Sequence, residues 1–411
     1  MNASTKQLII WISALVAGAV IGLLHISFIE DIFNFIATVY TRLFQFLAVP
    51  TIALAIITTL ISFGRQKGAG VLFKRTITYT LLTTLAASLV GMLLYILISP
   101  GNIPPENIPG GQVEALEGSG SFHDHIVSVI PDNIIRPFLG GNVLSILIIA
   151  VAFGLGIASM KESDKKTTLV NFFGGMQELF FILIKALIKT LPLGIVCFAA
   201  QLSSQLSGGI IMGSLGKWAL VVLLGNVIQF AVVLPLFLLS RGINPLKTLS
   251  AMSPAVLMAL FTKSSAATLP VTISSAETRL GVNPKVSRFV LPICCTVNMN
   301  GCAAFILVTS LFLMQNGGMT LTLPTMLLWV VISVISAVGN AGVPMGCFFL
   351  TVSLMTGIGA PVAIMGLILP IYTIVDMVET AENVWSDSCV CAMTDKDILE
   401  RMPDDTKPIS Q

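Results

Sequence analysis

Eight apolar runs, near residues 8 to 24, 39 to 63, 76 to 98, 142 to 159, 171 to 200, 217 to 240, 288 to 314 and 361 to 393, punctuate this chain. A helix needs about 20 such residues to cross a bilayer. In hydrocarbon each backbone N–H and C=O must find its partner inside the segment or in a closed barrel, so runs of this length specify helices. The expected fold is an all-α membrane protein with eight transmembrane helices. Only 10% of residues are charged and mean hydropathy is +0.93, against about 25% charged in an average soluble domain. A net charge of +2 is too small to point to nucleic acid, and no phosphate-binding glycine loop or HExxH pattern is present. The polar connections are too short for a catalytic domain, and no nucleophile and base stand together, so an enzyme is not expected. The first run has one Lys and no small-residue cleavage site, which reads as a retained helix and not a signal peptide. The seven cysteines lie in or beside apolar runs and read as buried small residues, not as a disulfide framework or a zinc site.

Two further apolar segments, 249 to 278 and 325 to 357, are broken by Gly, Pro, Ser and Asn. Their direction follows from charge, because Lys and Arg collect in short cytoplasmic loops. Basic residues gather at 65 to 75, 161 to 166, 241 to 247, 279 to 288 and in the C-terminal tail, whereas 99 to 140 has only Arg136, and 202 to 216 and 315 to 324 have none. The flanks of 249 to 278 are therefore both cytoplasmic and those of 325 to 357 both external, with both chain termini cytoplasmic. Each segment enters and leaves on one side, giving two re-entrant helical hairpins of opposite orientation. Such inverted repeats build ligand sites at the bilayer midplane from discontinuous helices. His25, His123 and His125 fall in or near the external loops, so proton coupling through histidine is not expected.

Chemistry then concentrates at four places. The first hairpin tip, FTKSSAATLPVT at 261 to 272, offers Ser264, Ser265 and free N–H groups at a half-helix start, which suits a carboxylate; a serine-rich packing kink is the plain alternative. The second tip, VGNAGVPMG at 338 to 346, puts Asn340 among glycines and a proline that free carbonyl oxygens for a hard cation, or makes a structural turn. TVNMNGCAAF at 296 to 305 interrupts an apolar helix with Asn298, Asn300 and Gly301, an unwound spot able to supply oxygens. The last run carries Asp376, Glu379, Thr380, Asn383 and Asp387, which share one helical face. A carboxylate at bilayer depth costs about 2.5–3.5 kcal/mol, so a face of them implies function. Glu382 lies on another face and is expected to meet water or a basic neighbour.

TKSSAATLPVT, NMNG, GNAGVP and DMVETAENVWSD, in this order and with LLTT at 81 to 84 and LPLG at 191 to 194, resemble the signature segments of the dicarboxylate/amino acid:cation symporter family, the glutamate transporter homologues. The resemblance implies a homotrimer in membrane lipid working as an elevator. A scaffold domain (1 to 70 and 140 to 205) would hold a transport domain (71 to 98 and 215 to 393), with an external loop at 99 to 139 and a cytoplasmic tail at 394 to 411. It implies an amino acid site formed by Ser264, Ser265, Met299, Cys302, Val343, Pro344, Asp376, Glu379, Thr380 and Asn383. Asp376 would take the α-amino group and Asn383 the α-carboxylate. It implies Na+ as coupling ion, held by Asn298, Met299, Asn340, Asn383 and Asp387, with Thr83, Thr84 and Asn300 at a third cation site.

The departures from the family pattern set the expected substrate. Acidic-substrate members carry Arg where this chain has Glu379, and a Thr where it has Cys302. A Glu there resembles the serine/threonine symporter branch, and Lys263 is expected to neutralise it. Asn300 replaces an Asp, which implies fewer coupled sodium ions. The expectation is sodium-coupled symport of small neutral amino acids, serine and threonine first, in a bacterial cytoplasmic (inner) membrane. A carrier of cationic, sulfur-containing or acidic amino acids, or an ion channel on the same scaffold, is the alternative.

Overall fold

Leu, Ile, Val and Ala runs without interruption propagate as helix, and they stop where Gly, Pro or Asn cap them. The structure, a computed structural model, describes residues 3–24, 26–65, 70–104, 130–140, 143–204, 210–338, 340 and 345–399. Among the described residues it is helical, without strands. In chain order come α1 (Ala3–Leu23), α2 (Ser27–Arg65), α3 (Gly70–Ile98), the short α4 (Arg136–Gly140), α5 (Val143–Ser159), α6 (Asp164–Ser204) and α7 (Ile210–Ile228). A π-turn, Gln229–Val233, joins α7 to α8 (Leu234–Ser240). Then follow α9 (Pro245–Thr262), α10 (Ser265–Ser275), α11 (Pro284–Val297), α12 (Asn300–Asn316), α13 (Leu323–Val338), α14 (Gly346–Gly357) and α15 (Ile364–Leu399). Five stretches among the described residues are long and apolar enough to cross a membrane.

Several helices extend beyond the hydropathy runs, most clearly at two ends. α2 begins at Ser27, twelve residues before the apolar run at 39, and α15 continues to Leu399, past the run's end at 393. The first extension mixes Glu30, Asp31 and Asn34 with apolar residues, and the second carries Thr394, Asp395 and Lys396. The residues expected to begin the tail are thus helical.

Two groups of helices form. α1, α2, α5 and α6 pack on one another, and α3 packs with α7 and α9 to α15; α14 and α15 reach across to α2, α5 and α6. Gly18 and Gly22, one turn apart on α1, let α6 lie against it, since a side chain at Gly18 would run into Val196 and Ala199. Close small-residue contacts of this kind replace the hydrophobic drive that lipid cannot supply. The carbonyl of Phe230, in the π-turn, accepts from the Trp385 indole at 3.1 Å, which ties α7 and α8 to α15. Where α3, α8 and α15 meet, Asp397 is buried and accepts from Tyr79 Oη at 2.8 Å, pairs with Arg75 at 3.2 Å and also pairs with Arg241.

Candidate functional site

The interruptions foreseen in the sequence converge on one place. α9 ends at Lys263, which takes a left-handed conformation (φ 54°), and Ser264 is extended and caps α10, its Oγ accepting from the Ala267 N–H at 3.2 Å. A two-residue turn thus separates the two helices. α11 and α12 are parted at Asn298 and Met299, whose φ/ψ pairs of −91°/71° and −108°/69° are not helical. Gly301 opens α12 beside α15, and no Cβ fits: it would fall 2.7 Å from Asn226 Oδ1 and 2.9 Å from Glu382 Oε2.

Between these breaks and the last helix lies a small cavity lined by Lys263, Ser265, Met299, Cys302, Asn340, Cys347, Asp376, Glu379, Thr380 and Asn383. The centre of a water molecule can explore only about 10 Å³ of it, room for about one water, so an amino acid enters only if a wall moves. The Tyr372 hydroxyl reaches Asp376 Oδ1 at 3.3 Å and Glu379 Oε2 at 3.4 Å. Its ring packs against Phe305 and Phe348, with centroids 4.6 and 5.4 Å away. Asp376 Oδ2, Glu379 Oε1 and Asn340 Oδ1 are buried without a hydrogen-bond partner. The Asn383 Oδ1 accepts from the Gly301 N–H at 2.9 Å, and Thr380 Oγ1 turns back to its own helix, donating to Asp376 O at 2.7 Å.

Beside the cavity an oxygen-rich cluster joins α3, the α11–α12 break and α15. Thr83 Oγ1 lies 3.1 Å from Asn298 Oδ1 and 3.4 Å from Asn300 Oδ1, and Thr84 Oγ1 lies 2.8 Å from Asn300 Oδ1. Asn298 Nδ2 donates to Asp387 Oδ1 and to Ser386 Oγ, both at 2.9 Å, and Asn300 Nδ2 donates to Ser386 Oγ at 2.7 Å. Every member is at most 3% exposed. Hydroxyl, amide and carboxylate oxygens gathered in apolar surroundings suit a hard cation.

Several expectations need correction. Lys263 does not neutralise Glu379: its Nζ donates to Thr373 O at 2.6 Å, and its electrostatic partner is Asp376. Among the described residues Glu382 meets no basic residue; it is 1% exposed, lies beside the Gly301 backbone and lines a separate, largely apolar cavity with Asn226. The cysteines are not all isolated, because Cys302 and Cys347 form a disulfide pair. The first turns of α12 and α14 bring them together across a sequence separation of 45 residues that gives no hint of it. Val343 and Pro344 lie outside the described residues, as do His25, His123 and His125.

Sequence reasoning missed Tyr372, Ser386 and Cys347. Tyr372 was within reach, standing four residues before Asp376 and seven before Glu379 on the same face.

The sequence pattern of the sodium:dicarboxylate symporter family matches residues 6–397. The chain belongs to that family. It is therefore a membrane transporter coupled to sodium, not an enzyme. Relatives include excitatory amino acid transporter 1 of Ambystoma tigrinum, 26% identical over 91% of this chain and 80% of the relative, and excitatory amino acid transporter 3 of Oryctolagus cuniculus, 27% identical over 93% and 84%. Excitatory amino acid transporter 2 of Homo sapiens is 26% identical over 84% of this chain and 70% of its own length.

Proposed function

We propose that this family member carries a small neutral amino acid, serine or threonine first, across the membrane together with sodium. The observation that carries the reading is the set of acceptor oxygens without donors, Asp376 Oδ2, Glu379 Oε1 and Asn340 Oδ1, on residues lining one cavity. Buried acceptors left unpaired are costly, and their complement is a ligand rich in donors. A substrate ammonium answers Asp376, taking over from Lys263, and a side-chain hydroxyl answers Glu379. Ser264, Ser265 and the N–H groups opening α10 suit the α-carboxylate, with Asn383 beside them.

The same argument weighs against acidic substrates, which the names of the relatives bring to mind. A second carboxylate about 4 Å from Glu379 would be repelled by roughly 4 kcal/mol at an effective dielectric near 20. Thr83, Thr84, Asn298, Asn300 and Asp387 are the residues we assign to sodium, and with Asn300 neutral the cluster holds fewer ions than one with an aspartate there. The packing of α1, α2, α5 and α6 on one another supports reading them as the scaffold and the remaining helices as the moving part of an elevator. The one-sided distribution of Lys and Arg supports cytoplasmic termini, and the resemblance to the serine/threonine symporter branch is what supports a bacterial inner membrane location.

Purified protein in a thermal-shift panel of the twenty amino acids, with and without sodium, tests the reading, because stabilisation grows with affinity. Serine and threonine should raise the melting temperature only when sodium is present, and excess serine, not aspartate, should suppress labelled serine uptake into proteoliposomes. Asp376→Asn should remove the response to every amino acid. Strong competition by aspartate, or uptake that persists without a sodium gradient, would sink it.

A further inference from the structure

Two sulfurs and a carboxylate meet at the edge of the cavity. Cys302 lies in the first turn of α12 and Cys347 in the first turn of α14, with Cα atoms 5.3 Å apart. The two sulfurs and an oxygen of Glu379, on α15, all lie within 4.8 Å of one another, and all three residues are buried. The family reading assigns these sulfurs no joint role, and Glu379 Oε1 has no hydrogen-bond partner. We propose that, once the Cys302–Cys347 bond is reduced, these three side chains form a binding site for a soft divalent cation of the zinc and cadmium class.

The geometry is close to what such an ion needs. Zinc takes thiolate sulfur at about 2.3 Å and carboxylate oxygen at about 2.0–2.2 Å in a tetrahedron, so its donors stand about 3.5–3.8 Å apart. Small rotations of the three side chains reach that spacing. Thiolates select soft ions over sodium, which separates this site from the all-oxygen cluster around Thr83 and Thr84. Cys302, Cys347 and Glu379 line the same cavity as Asp376. Formation of the site balances in two steps. A dithiol such as dithiothreitol supplies two electrons and two protons to the S–S bond and leaves as its own cyclic disulfide. The metal then displaces both protons from the thiols.

A bound ion would pin α14 to α12 and α15 and occupy Glu379, so it should block amino acid uptake. That consequence rests on the amino acid reading of the cavity; metal binding does not. Full-length protein, reduced with dithiothreitol and freed of it, is titrated with Cd2+ while the ultraviolet thiolate-to-cadmium absorption is followed. One equivalent should bind tightly, and re-oxidation with diamide should abolish the signal in the same wild-type protein. Cys347→Ser should weaken binding about 100-fold and Glu379→Gln about 10-fold, each a loss of one of three donors. No band in the reduced wild type, or a band equally strong after re-oxidation or in Cys347→Ser, would overturn the proposal. Cd2+ should also inhibit serine uptake by reduced but not by oxidised protein. Tight binding without inhibition would leave the metal site standing and count against the amino acid reading.

Discussion

Glu379 and Glu382 are three residues apart on α15, equally buried, and line different cavities. Glu379 shares the Tyr372 hydroxyl with Asp376 and opens on a cavity, so its charge has a use. Glu382 lines a separate, largely apolar cavity together with Asn226, and neither its two oxygens nor Asn226 Oδ1 has a hydrogen-bond partner. Glu382→Gln keeps the shape and removes an unpaired buried carboxylate, so the melting temperature should rise, by the equivalent of about 1–3 kcal/mol. A fall would mean that the carboxylate is paired in the working protein. Helical spacing in the sequence was enough to place Asp376, Glu379, Thr380, Asn383 and Asp387 on one face. It could not single out Ser386, because a serine in an apolar helix ordinarily bonds back to its own turn, whereas this one receives both Asn298 and Asn300.

Among the elements, those that break carry the chemistry and those that run unbroken carry the load. The α9–α10 turn and the α11–α12 break were visible in advance, since Ser264, Asn298 and Gly301 interrupt apolar runs with residues that cap or unwind helices. The charge-bearing ends of α2 and α15 were not, because charged residues cut a hydropathy run short where the helix itself continues. One such end matters for stability. Asp397, two residues from the terminus of α15, fastens α3 and α8 through Tyr79, Arg75 and Arg241. Asp397→Ala would leave two half-exposed guanidinium groups and a tyrosine hydroxyl without this partner, and should cost about 2 kcal/mol. Thermal unfolding in detergent measures it, and Asp397→Asn should recover part of the loss by keeping the tyrosine bond. An unchanged melting temperature in Asp397→Ala would show that the cluster adds nothing.

For the whole molecule, the distribution of apolar surface says where neighbours belong. Phe28, Phe35 and Phe46 on α2 and Leu93 and Leu97 on α3 are more than half exposed, a coat suited to lipid or to further copies of the chain. The proposed homotrimer would cover part of it on the scaffold helices. Native mass spectrometry of the detergent-solubilised protein should give three chains of 43.7 kDa each. A monomer as the sole species, under conditions that preserve sodium-dependent ligand stabilisation, would remove the trimer.

Uninterrupted apolar runs by themselves dictated helices, because a backbone in hydrocarbon has no other open-ended way to satisfy its hydrogen bonds. The positions of the breaks and the acidic face of α15 were equally local properties, set by residue type and by 3.6 residues per turn. Which side chains actually meet was decided only when the helices packed. Lys263 turned to Asp376 and not to Glu379, Cys302 found Cys347, and Glu382 was sealed behind Gly301, because such pairings depend on distances between segments far apart in the chain. No spacing within any one segment encodes them.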